Sequence, residues 1–152
     1  MKQPFAWVLP LLVVFLFTFS STKTIAQAPT PLTKQEKNDL KNHRNYAFLA
    51  EEDKHLKGAW LTYRQLTEAG IPVRNFEVVV IGKLAKSLTE NPELHQLVTE
   101  RSDGKFKVTV CDMALEKLQA DKQKLPAPAT IISNGYLRIF QLQANNYLTV
   151  QP

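Results

Sequence analysis

Cys111 is the only cysteine in this 152-residue chain, and its neighbours make it the first candidate for chemistry. It closes a β-like run, Phe106-Lys107-Val108-Thr109-Val110-Cys111, and Asp112-Met113-Ala114-Leu115 follows at once. A thiol at the carboxyl end of a strand, where a helix begins, lies where open α/β sheets hold their ligands. Helix N-terminal N–H groups there favour the thiolate, which is the nucleophilic form. Asp112 works the other way, because a carboxylate beside a thiolate repels it. A free cysteine also packs as a small hydrophobe, and the residues alone leave both readings open.

Other familiar constellations are missing from the sequence. No G-x-G-x-x-G follows the first strand-like run, no G-x-x-x-x-G-K-[ST] occurs, and there are only five glycines, so nucleotide phosphates have no cradle. Gly82-Lys83 is a dipeptide at a strand end, which a turn and a solvated lysine explain equally well. His43, His55 and His95 lack ligand spacing, so a structural metal is not indicated. Glu51-Glu52-Asp53 would suit a cation, but acidic residues ahead of a helix are expected from the helix dipole alone. There is no G-x-S-x-G elbow. No cofactor is expected.

The elements that must position Cys111 alternate along the chain. Tyr46-Ala47-Phe48-Leu49 is a first apolar run. Leu56, Ala59, Trp60, Tyr63 and Leu66 then recur at helical spacing, and Gly70 and Pro72 end that helix. Phe76-Glu77-Val78-Val79-Val80-Ile81 carries four consecutive β-branched residues, the mark of a strand buried on both faces, and Gly82 ends it. A short helix from Lys83 to Leu88 precedes another in which Asn91 caps, Pro92 takes the first turn, and Leu94, Leu97 and Val98 face inward. In the cysteine strand Phe106, Val108 and Val110 point one way, and Lys107, Thr109 and Cys111 share the more polar side. Asp112 is placed to cap a helix carrying Leu115 and Leu118. Thr130-Ile131-Ile132, a helix from Gly135 to about Ala144, and Tyr147-Leu148-Thr149-Val150 complete the pattern.

Five strand-like runs separated by helices imply right-handed βαβ crossovers. The fold class is therefore α/β, a mostly parallel five-stranded sheet between helical layers, flavodoxin-like or Rossmann-like. Strand order is not encoded locally.

The amino-terminal part reads differently. Lys2 precedes an apolar run from Phe5 to Phe19, too short for a span of roughly 20 residues, and Ala26-Gln27-Ala28 offers small residues for cleavage. Residues 1–26 are thus expected to be a secretory signal, and residues 27–43 a linker with a short helix capped by Thr33 and Glu36. The packed domain is expected over residues 44–152. Lys2 and Lys23 lie in the leader, so of a formal net charge of +5 only +3 stays with the remainder, interleaved with acids. Nucleic-acid binding and a stable membrane span are not expected. The expected location is periplasmic or secreted, after cleavage near Ala26 or Ala28.

Three segments together resemble the DsrE/DsrF-like sulfur-transfer family: Val78-Val79-Val80-Ile81-Gly82, Val108-Thr109-Val110-Cys111-Asp112-Met113-Ala114-Leu115, and Ile132-Ser133-Asn134-Gly135-Tyr136 through Gln141 to Asn146-Tyr147-Leu148-Thr149-Val150. The resemblance spans about residues 44–151. It implies a three-layer α/β sandwich, assembly as a trimer or hexamer, and a persulfide carried on Cys111. Gly82, Lys83, Asp112, Lys117 and Asn134 would support it, with a sulfur donor or acceptor protein as partner. Where characterised carriers have an Arg-Gly pair after the cysteine, this chain has Glu116-Lys117-Leu118, which keeps a positive charge and loses the glycine. The other class of function is a non-catalytic binding or assembly module of the same fold, in which Cys111 only packs.

Export is directly testable. Amino-terminal sequencing of the protein recovered from the periplasm should begin at or near Gln27, and an intact Met1 in the membrane fraction would overturn the leader assignment.

Overall fold

The computed structural model describes residues 30–152. The expected leader and the start of the linker, residues 27–29, lie outside the described residues. The chain then alternates β1 (Asn45–Ala50), α2 (Asp53–Glu68), β2 (Asn75–Val80), α3 (Gly82–Glu90), α4 (Pro92–Arg101), β3 (Phe106–Cys111), α5 (Asp112–Lys117), β4 (Thr130–Ile132), α6 (Gly135–Ala144) and β5 (Leu148–Val150), preceded by α1 (Lys34–Leu40). All strand pairs are parallel, in the order β4-β3-β2-β1-β5. The protein is a three-layer α/β sandwich of flavodoxin-like type, its sheet wholly rather than mostly parallel. No helix of the described residues is long and apolar enough to cross a membrane.

Local sequence explains most element ends. Thr33 and Glu36 close the capping box of α1, the Thr33 N–H donating to Glu36 Oε2 at 2.7 Å. Asn91 Oδ1 accepts from Glu93 N at 3.0 Å, with Pro92 in the first turn of α4. The linker helix is anchored lightly: Leu32 and Leu40 lean on the core, and Gln65 donates to the Thr30 carbonyl at 3.0 Å.

The two faces of the sheet differ sharply. Chain order runs outward from β1 through β2 and β3 to β4, so right-handed crossovers put the intervening helices on one side. There Tyr46, Phe76, Val78, Val80, Phe106, Val108 and Val110 meet Leu56, Leu84, Leu88, Leu94 and Leu115 in one continuous core. The return from β4 across the sheet to β5 puts α6 on the opposite side. Its Ile139 and Leu142 cover Ala47, Leu49, Val79 and Ile81, a much smaller core.

Aromatic packing locks the amino-terminal end of the large core. Phe76 and Phe106, adjacent on β2 and β3, stack at 5.7 Å, and Tyr63 meets Phe106 at 5.3 Å. Trp60 packs on the rim of this core, edge-on to Phe106 at 5.3 Å, with the Arg101 guanidinium 5.4 Å from its ring. Tyr63 donates its hydroxyl to Asp103 Oδ2 at 2.5 Å, and Asp103 Oδ1 accepts from Phe106 N at 2.8 Å and Lys105 N at 2.9 Å. Burial raises the Tyr63 phenol well above its ordinary range, and Asp103 raises it further.

For Asp103, partial burial pushes the carboxyl up, but the bonds from Tyr63, Phe106 and Lys105 outweigh it and leave the group below its ordinary value. A carboxyl depressed by folding contributes stability above its unfolded pKa and loses it as pH falls through the folded one. Urea midpoints should therefore drop through the acidic range, and Asp103→Asn should flatten that decline. An unchanged acid profile in the variant would show that other carboxylates set it.

Candidate functional site

The connections after β3 and β4 leave the sheet on opposite sides, α5 joining the large-core face and α6 the other. Such divergence opens a crevice beyond the carboxyl ends of the two strands, where open α/β sheets bind ligands. A crevice of about 400 Å³ lies at this end of the sheet, and Cys111, Gly82, Lys83, Lys117 and Asn134 all line it. Five of the six residues singled out from the sequence are thus brought together.

Each lining residue is held by a local cause. Ile81 donates its N–H to the Ala50 carbonyl at 2.9 Å, and Gly82 follows with φ +56°, a left-handed conformation that suits glycine. That turn starts α3 and presents Lys83. Asn134 caps α6, its Oδ1 accepting from Tyr136 N at 2.9 Å and Leu137 N at 3.3 Å. Lys117 ends α5.

Asp112 is the sixth residue, and it departs from expectation. It does not cap α5: Cys111 occupies the N-cap position and Asp112 is the first helical residue. Its carboxylate pairs with Lys122, which also reaches Glu116 at 3.4 Å, and it does not line the crevice. The physical reason is the short turn at Lys122–Lys124, which folds back to bring that ammonium within reach. The repulsion expected between Asp112 and the thiol is thereby offset. The expected help from α5 is also reduced, since a six-residue helix sums few peptide dipoles.

Cys111 itself is more enclosed than its strand alternation implies. It is 5% exposed and packs with Val79, Ile81, Ile139 and Leu142 in the small core. The polar members of its face lie further along. Glu77, inside β2, receives Arg138 Nε and Nη2 at 2.8 Å each and Thr109 Oγ1 at 3.0 Å. The face is polar at Thr109 and apolar at Cys111.

The crevice walls include residues that sequence reasoning did not single out: Met113 and Tyr136, 58% and 57% exposed, together with Ile81 and Leu118. Met113 stands two residues after the cysteine, and Tyr136 opens α6 after Gly135. Their signal was available only as large apolar side chains at the polar ends of helices. Among the described residues, no three His, Cys, Asp or Glu side chains gather as a metal cluster.

No protein-family model matches the chain, and no curated protein is similar to it at a significant level. A solved structure does match. The protein of unknown function MTH1491 from Methanobacterium thermoautotrophicum superposes with a TM-score of 0.60 at 18% identity, over 72% of this chain and 98% of that one. At that identity the likeness supports the α/β fold.

Gly135 decides how closely α6 approaches the site. A Cβ placed there would overlap Ile81 Cγ2 and lie 3.3 Å from Val79 Cγ1 and 3.5 Å from Cys111 Cβ. Helix propensity alone favours alanine over glycine. Gly135→Ala should nonetheless destabilise the fold by about 1–3 kcal/mol through overpacking, measured by urea unfolding. A neutral or stabilising result would mean that α6 sits loosely over Cys111.

Proposed function

We propose that this chain is an exported DsrE/DsrF-like protein in which Cys111 accepts and carries a sulfane sulfur. The observation that carries the reading is the convergence of Cys111 with Lys83 and Lys117 on one crevice at the carboxyl edge of the sheet. A thiolate attacks the outer sulfur of a donor persulfide, R–S–SH. The Cys111 S–S bond forms, the donor S–S bond breaks, and the donor leaves as the thiolate R–S⁻ while Cys111 becomes Cys–S–SH. Sulfur, hydrogen and charge balance without an oxidant. Nearby ammonium groups favour both the attacking and the departing thiolate.

The resemblance that supports this function also implies a trimer or hexamer. Tyr136, Leu137 and Phe140 give α6 an exposed apolar side suited to such contacts. The rival reading is a binding or assembly module in which Cys111 only packs, and the 5% exposure of that residue favours it.

The two readings part on one experiment. Incubating native protein with polysulfide, or with a persulfide-loaded sulfurtransferase, should add the mass of one sulfur atom. A reductant should remove it, and Cys111→Ser should abolish it. An unmodified native mass, with Cys111 alkylated only after unfolding, would remove the carrier reading and favour the binding module. Light scattering on the same sample should report a trimer or hexamer, and a monomer would remove the assembly part of the proposal.

A further inference from the structure

The Cys111 crevice combines an apolar interior with charge of one sign. Its charged lining residues are Lys83 and Lys117, and among the described residues no carboxylate lines it. The nearby acids have other partners: Glu52, whose carboxyl also feels Lys83, pairs with Lys54 at 2.9 Å, and Asp112 and Glu116, close to Lys117 in sequence, pair with Lys122. Neither Lys83 nor Lys117 forms an ion pair among the described residues. Around them stand Ile81, Met113, Leu118 and the ring of Tyr136.

An inorganic anion would leave that apolar wall unused, and a neutral hydrocarbon would make no use of the two ammonium groups. A volume near 400 Å³ falls in the range of small-molecule sites, which are mostly apolar with a few placed polar groups. We propose that the crevice binds a small amphiphilic anion, a carboxylate or sulfonate bearing an aliphatic or aromatic body. The anionic group meets Lys83 and Lys117, and the body lies against Ile81, Met113, Leu118 and Tyr136. Where this rests on the sulfur-carrier reading, it names the donor class: an organic persulfide with an acidic group, in preference to inorganic polysulfide.

The test uses Cys111→Ser protein, so that binding is separated from sulfur chemistry, and calorimetric titration with alkanesulfonates. Affinity should rise by about twofold to fourfold per methylene from butanesulfonate to octanesulfonate, as expected for burying each CH₂. Octan-1-ol should bind about tenfold more weakly than octanesulfonate, and Lys83→Gln/Lys117→Gln should lose a similar factor while keeping the parent melting temperature. Equal affinity for butanesulfonate and octanesulfonate, equal affinity for octan-1-ol, or no binding at millimolar concentration would each overturn the proposal. Its failure is distinguishable from that of the carrier reading. Octanesulfonate binding without persulfide formation in the wild-type protein would leave this site standing and remove the carrier, and the converse result would do the opposite.

Discussion

The placement of α6 rests on a charge pair whose carboxylate is buried and whose guanidinium is half-buried. Glu77 lies in the middle of β2 with its side chain 5% exposed, and the guanidinium of Arg138, one turn into α6, grips both of its oxygens. Glu77 also draws the Thr109 hydroxyl from β3, so one carboxylate ties two neighbouring strands to the helix. Pairs of this kind roughly break even against well-packed apolar residues, whereas losing one partner leaves an uncompensated charge at a cost of about 3–5 kcal/mol. The pair therefore acts more on where the helix sits than on how stable the domain is. Gly135 completes the constraint at the other end of the contact, since only a missing side chain lets the start of α6 rest on Ile81 and Val79.

From that placement the crevice follows. Because α6 crosses from β4 back to β5 on its own side of the sheet, it diverges from α5 just where Cys111 ends β3 and Asn134, two residues past the end of β4, caps α6. The same crossing makes the layers unequal. Among the described residues, α2 to α5 bury one face in a continuous core that includes Phe76, Phe106 and Leu115, with α1 leaning on it, while α6 covers part of the other. Most of the burial energy thus lies away from the site. Substitutions at the crevice rim touch exposed side chains such as Lys83, Lys117 and Met113, which bear little of the packing.

Enclosure and chemistry pull in opposite directions at Cys111. Its Cβ touches the small core, yet the residue lines an open crevice, so a ligand would meet the sulfur from one side only. Lys122 offsets the nearest negative charge by pairing with Asp112, and neither crevice lysine forms an ion pair among the described residues. An apolar wall lowers the local dielectric and strengthens whatever charge interaction forms there.

Much of the fold was legible in the sequence because its signals are local. The strand from Phe106 to Cys111, the strand Thr130–Ile132 and the helix Gly135–Ala144 appear at the bounds that alternation, helical spacing and glycine placement indicate. The Thr33 and Asn91 caps likewise work within a few residues. Lys83 was legible beside the glycine that ends a strand, whereas Lys117 and Asn134 entered as site residues only through the resemblance. Strand order was not, since parallel neighbours are joined only through long crossovers. Glu77 read as one polar residue in an apolar run, and its partner Arg138 lies 61 positions away. The enclosure of Cys111, the diversion of Asp112 to Lys122 and the walls formed by Met113 and Tyr136 also waited on the tertiary structure. Which side of the sheet a helix covers depends on the direction of the chain's return, and no window of neighbouring residues carries that information.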